Sequence, residues 1–108
     1  MGKDDGYDYD DPREAARRGD AEMLREWGES DPEALHEPDE LGWHPLHEAV
    51  RAGHVEAVRV ILGFGGNINL QTYTGVSPLN IALEHLGEDH EMTKFLEENG
   101  AIDLYPEL

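Results

Sequence analysis

Residues 42–49, Gly-Trp-His-Pro-Leu-His-Glu-Ala, return as residues 75–82, Gly-Val-Ser-Pro-Leu-Asn-Ile-Ala. Gly42 with Gly75, Pro45 with Pro78, Leu46 with Leu79 and Ala49 with Ala82 share a single offset of 33. An offset of that size marks a stack of like units, each burying an apolar face on its neighbour. The local chemistry agrees. Proline in the first turn of a helix sacrifices no hydrogen bond and brings a helical φ with it, so Pro45 and Pro78 mark helix starts. Ser77 stands one place earlier, where its oxygen can accept from a first-turn N–H. His44 fills the matching place in the other copy, and imidazole is expected to cap less well.

Helical spacing extends the pattern along the chain. Leu46, Ala49 and Val50 form one apolar stripe, Gly53 permits a sharp turn, and Val55, Val58, Ile61 and Leu62 form a second stripe. Gly65-Gly66 closes the second helix, and Ile68 points inward from the segment that follows. Upstream, Ala15, Gly19, Glu22 and Leu24 match Ala49, Gly53, Glu56 and Val58 at an offset of 34, and Asp11-Pro12 reads as a cap with its proline. Trp27 belongs to the expected core. Between these units, residues 28–40 hold two prolines and six acids, which predicts a connecting loop with Leu35 tucked inward. Downstream, Glu56, Val60 and Ile61 match Glu91, Phe95 and Leu96 at 35, so two residues are inserted around positions 86–90 and the turn there is longer.

The Gly-x-x-Pro-Leu-x-x-Ala frame and its spacing resemble the ankyrin repeat, from about Asp11 to Leu104. The resemblance implies an all-α solenoid of helix-turn-helix units joined by β-hairpin or finger loops. It divides the chain into a disordered acidic arm (1–10), a repeat domain (11–104) and a tail (105–108). Within the domain it implies a degenerate N-terminal capping repeat (11–38), a full repeat (39–71) and a C-terminal repeat with the insertion (72–104). It assigns Asp39 to tying a hairpin turn, with Thr72 as the weaker equivalent, and His47 and His54 to tying adjacent loops. Members bind partners with finger tips and with the outward side of each first helix. Carried over, these places are Glu40, Leu41 and Trp43 on the first finger, Tyr73, Thr74 and Val76 on the second, and Glu48, Arg51, Ile81, Glu84 and His85 on the first helices. Trp43 and Val76 are expected to be exposed, and Ile81 sets an aliphatic where Glu48 sets a charge.

Charge narrows the partner. The 108 residues carry a net charge of −17, divided as −10 over residues 1–40, 0 over 41–83 and −7 over 84–108. Terminal units of a stack need polar outer faces, but this excess also disfavours nucleic acid and anionic membrane as direct partners and favours a basic protein. Like charges at both ends predict marginal stability that rises with salt and with mildly lower pH. No cofactor is implied and no enzyme is expected. Cysteine is absent, the six histidines lack zinc-ligand spacing, neither Ser30 nor Ser77 has a nucleophile's surroundings, and the glycines form no phosphate-cradling motif. The expected chain is a monomeric protein-interaction module. Its alternatives are an assembly segment of a larger chain or homo-oligomer, and an acidic mimic of nucleic acid blocking a basic groove. With no apolar run of membrane-spanning length and no leader pattern, the expected address is intracellular, cytoplasmic or nuclear, with an organelle stroma as a further alternative. Tyr7 and Tyr9 within the arm read as tail residues, with docking or phosphorylation as the alternative.

Overall fold

The computed structural model describes residues 11–103; the arm expected over residues 1–10 and the tail expected over 105–108 lie outside them. Six α-helices follow in order among the described residues: α1 (Pro12–Arg18), α2 (Ala21–Ser30), α3 (Pro45–Ala52), α4 (Val55–Gly63), α5 (Pro78–His85) and α6 (Glu91–Glu98). A short 3-10 turn, Pro32–His36, follows α2.

The helix starts follow from their caps. Asp11 accepts from the Arg13 N–H at 3.0 Å, Asp20 from Met23 at 3.0 Å, Ser77 from Asn80 at 3.3 Å and the His90 ring from Met92 at 2.9 Å. At α3 the His44 ring meets the Gly42 carbonyl at 3.1 Å, and the His44 N–H donates to His47 Nδ1 at 2.9 Å. Gly19 and Gly53 close α1 and α3 with φ of 77° and 80°, a region that disfavours side chains.

The helices form two rows. Helices α1, α3 and α5 stack side by side, α2, α4 and α6 form a parallel row behind them, and each first helix packs on the second helix of its own pair. The seam between the rows holds Ala15, Ala16, Leu24, Leu46, Ala49, Val50, Val58, Ile61, Leu79, Ile81, Ala82, Met92 and Leu96, all buried. Leu35, on the 3-10 turn, is fully buried, and Trp27 is half-buried against the same core. Small alanines on α1, α3 and α5 let the first helices approach closely.

Among the described residues the fingers are tight turns without strands. In the first, Asp39 N–H donates to the Trp43 carbonyl at 2.9 Å and Gly42 N–H to the Asp39 carbonyl at 3.1 Å. The second repeats this one register later, Thr72 to Val76 at 3.0 Å and Gly75 to Thr72 at 2.9 Å. The ladder goes no further in either finger, because the proline-led helix begins two places beyond it.

Bonds between units repeat at the same register. His47 Nε2 donates to the Leu70 carbonyl at 2.7 Å, reaching from α3 to the following segment. Asn80, the equivalent of His47 on α5, reaches Asp103 in the same sense, and Ser77 Oγ donates to the Ile102 carbonyl at 3.3 Å. His54 does not tie a loop in this way; its ring packs over Gly19. The connection from α5 to α6, residues 86–90, is longer than the Gly53-His54 turn between α3 and α4, and Thr93 Oγ1 anchors it by donating to the Gly87 carbonyl at 2.6 Å.

Candidate partner-binding surface

Two residues dominate the fingers. Leu41 and Tyr73 are each 69% exposed, among the largest apolar surfaces the described residues leave in water. They sit on adjacent fingers and belong to one surface. The Tyr73 ring lies directly over Gly42, so close that a Cβ on Gly42 would fall 2.4 Å from the ring. The absent side chain at Gly42 therefore lets the second finger lean on the first, next to Leu41.

Asp39 builds the first finger from beneath. Its carboxylate accepts from Leu41 N–H at 2.8 Å and Trp43 N–H at 2.9 Å, and these backbone bonds, that from Trp43 foremost, hold its carboxyl below the usual range. The shift is consistent with a charge committed to local structure. In the second finger the Thr72 hydroxyl takes the corresponding bond from Val76 at 3.2 Å and meets the Thr74 hydroxyl at 3.1 Å. Glu37 and Glu40 are exposed on either side of Asp39. An open groove of about 540 Å³ beside this finger is lined by Arg13, Pro38, Asp39, Glu40 and Leu41.

Several residues expected on this surface lie elsewhere. Trp43 and Val76 are half-buried and pack against the core rather than standing at exposed tips. The Trp43 ring meets the His47 ring edge-on at 5.6 Å between centroids. Ile81 is 2% exposed and Glu48 8%, so neither faces water on the first-helix row. The cause is the neighbouring first helix: α1 lies close enough on α3 for Arg17 Nε to bond Glu48 at 3.3 Å, and α3 covers α5 likewise. Arg51, Glu84 and His85 are exposed as expected, as are Glu40 and Thr74. Of the apolar side chains expected on this surface, Leu41 and Tyr73 stand exposed, and Trp43, Val76 and Ile81 do not. The signal that separates the two pairs is position within the turn: Leu41 and Tyr73 precede the turn glycine, and Trp43 and Val76 follow it.

The acids are not spread evenly over the rows. Helices α1, α3 and α5 carry Arg13, Arg17, Arg18 and Arg51 against Glu14, Glu48 and Glu84. Helices α2, α4 and α6 carry Arg25, Arg59 and Lys94 against Glu22, Glu26, Glu29, Glu56, Glu91, Glu97 and Glu98. The first-helix row is close to neutral, and the acidic excess lies on the second row and in the loops.

Among the described residues, no three His, Asp or Glu side chains converge to hold a metal ion, and no helix is long and apolar enough to cross a membrane.

The chain is 37% identical over 83% of its length to human transient receptor potential cation channel subfamily A member 1, covering 8% of that protein. It is 34% identical over 63% of its length to mouse 2-5A-dependent ribonuclease, covering 9% of it, and 33% identical over 61% to mouse protein phosphatase 1 regulatory subunit 27, covering 43%. The chain thus spans less than a tenth of the first two relatives and under half of the third. The family described as ankyrin repeats (3 copies) matches residues 13–105, and with the stacked helix pairs this places the chain in the ankyrin-repeat family.

Proposed function

We infer that this ankyrin-repeat domain binds a basic protein partner through the finger patch of Leu41 and Tyr73, with Glu40 and Thr74 beside it and Arg51, Glu84 and His85 on the adjoining helices. Ankyrin repeats are in general protein–protein interaction modules, which supports a reading by recognition. The observation that supports the site is the 69% exposure of two apolar side chains on adjacent fingers, with the Tyr73 ring resting on Gly42 next to Leu41. A rigid apolar anchor that is wet in the free protein gains most from being covered. The basic character follows from Glu37 and Glu40 at the rim and from the −17 net charge, which speed the approach of a cation and fix its orientation more than they add affinity.

The test is capture of interacting proteins by the full chain and by a Leu41→Ala, Tyr73→Ala double variant at two ionic strengths. Partners held by this patch are expected to carry net positive charge and to be lost from the double variant by about tenfold or more, the loss typical of removing interface anchors. Equal recovery by both proteins overturns the site.

A second reading, an assembly segment of a larger chain, is favoured by the small fraction of each relative that the chain spans. A third reading, an acidic mimic of nucleic acid blocking a basic groove, would use the second-helix row and the loops, where the acidic excess lies.

A further inference from the structure

Four asparagines stand in the chain, at 67, 69, 80 and 99, and their surroundings differ. Isoleucine or leucine follows the first three, and the side-chain oxygen of each accepts a backbone N–H: Asn67 from Asn69 at 2.9 Å, Asn69 from Ile102 at 2.8 Å and Asn80 from Ser77 at 3.0 Å. Asn99 is followed by Gly100, and both are exposed. Asn99 closes α6, its Nδ2 donating to the Phe95 carbonyl at 2.8 Å. Its exposure arises within the stack. At the offset of 35 it holds the place of Phe64, and where the Phe64 ring covers Gly28, Asn99 leaves the equivalent Gly63 with nothing among the described residues within 4 Å. Gly100 has φ of 94° and is equally open, and its N–H reaches the Glu97 carbonyl at 3.3 Å, past the usual range. Beyond it the chain is strapped to the second finger's approach. Ile102 N–H bonds Asn69, Asn69 Nδ2 donates to the Gly100 carbonyl at 3.4 Å, and Ser77 Oγ donates to the Ile102 carbonyl at 3.3 Å.

We propose that Asn99-Gly100 is a site of spontaneous modification, where asparagine converts to aspartate and isoaspartate and releases this strap. Glycine has no side chain to hinder its own amide as a nucleophile. Base removes the Gly100 amide proton, the nitrogen bonds Asn99 Cγ, and the bond from Cγ to the side-chain nitrogen breaks. That nitrogen takes a proton from solvent and leaves as ammonia. Water then opens the cyclic imide. Breaking the bond from the Gly100 nitrogen to Cγ restores the main chain with an aspartate. Breaking its bond to the Asn99 main-chain carbonyl carbon leaves the chain running through Cβ and Cγ, with a free α-carboxylate. Water enters, ammonia leaves and nothing is oxidised or reduced. Either product adds a negative charge to the −17, beside Glu97 and Glu98 and at the end of α6 where the helix dipole disfavours an anion. The isoaspartate also lengthens the main chain by a carbon, which takes Gly100 and Ile102 out of register with Asn69 and Ser77.

The full chain is aged at mildly alkaline pH, both folded and unfolded in urea, and then digested with trypsin. Cleavage after Lys94 isolates residues 95–108, where Asn99 is the sole asparagine, and cleavage after Arg59 places the other three within residues 60–94. In the folded chain, residues 95–108 are expected to exchange an amide for a carboxylate, read as a gain in mass and as two resolved products, while residues 60–94 keep theirs. The urea midpoint of the folded chain should fall as conversion proceeds, and amide shifts at Asn69, Ser77 and Ile102 should move. Asn99→Gln should keep its mass and its midpoint through the same ageing. Asn99→Asp should lower the midpoint less than ageing does, since it adds the charge without the longer main chain. An Asn99 that stays intact in the folded chain while the unfolded chain converts overturns the site. Conversion that leaves the midpoint and the shifts at Asn69, Ser77 and Ile102 unmoved overturns the release.

Discussion

His47 is held in one protonation state by the two bonds its ring makes. Nδ1 accepts from the His44 N–H at 2.9 Å, which leaves the ring proton on Nε2 for the Leu70 carbonyl. A second proton would point Nδ1–H at an N–H donor inside the fold. Burial, with the His44 ring as a lesser cause, lowers the His47 pKa to about 4, and burial lowers that of His44 as well. The unfolded chain therefore binds the extra proton from its ordinary pKa of about 6.5 downward, while the folded chain resists it. Stability attributable to His47 is complete above that pH and is lost as pH falls toward 4, on the order of 3 kcal/mol in all. This opposes the expectation drawn from net charge, that mild acid stabilises. Urea midpoints should fall between pH 7 and pH 5 in the wild type and fall less in His47→Asn, since Asn80 already serves at the equivalent place. A midpoint that rises on acidification contradicts the assignment. At this scale the sequence was legible where a residue acts on its own backbone: Pro45, Pro78, Ser77 and Asp39 do what their chemistry dictates. It was not legible for Glu48, Ile81, Trp43 and Val76, whose exposure depends on how near the adjoining helix or finger comes.

Among the elements, α2 shows how closely one unit fits the next. Gly28 sits inside this helix, where alanine would ordinarily add about 1 kcal/mol of helix stability. The Phe64 ring, following α4, occupies the space, so an added Cβ would lie 2.4 Å from it. Overpacking of this kind costs about 1–3 kcal/mol and outweighs the propensity gain. Gly28→Ala should therefore lower stability by about 1 kcal/mol in denaturant titration, and Phe64→Leu should lose less in that background than in the wild type. Additive losses would mean that the ring moves aside freely. The helix pairs themselves were readable from spacing, because Ala57, Val58 and Ile61 and their buried successors Met92, Thr93 and Leu96 keep the offset of 35. What spacing did not convey was the use of glycine as a socket, at Gly28 for Phe64 and at Gly42 for Tyr73. A glycine's neighbour across space leaves no local trace.

The whole molecule carries its charge against itself. The ion pairs Arg13–Asp11 and Arg18–Glu14 are partly exposed and Arg25–Glu56 is exposed, so they contribute little, while the net charge of −17 opposes compaction throughout. Screening should thus help more than it harms. Raising sodium chloride from about 50 mM to about 0.5 M shortens the Debye length to about 4 Å and is expected to add roughly 1 kcal/mol, or about 4–8 °C in melting temperature for a domain of this size. A melting temperature that drops with salt would show the exposed pairs to be worth more than the repulsion.

The rings of His54 and His90 over Gly19 and Gly53 also give the chain a polarity. The second and third units each set an imidazole over the turn glycine of the unit before, so the two sides of a unit are not interchangeable. A segment cut from one place and reinserted fits only in its original orientation, like a threaded rod that accepts a nut from one side. Lengthening by duplication is compatible with that rule, and inversion is not.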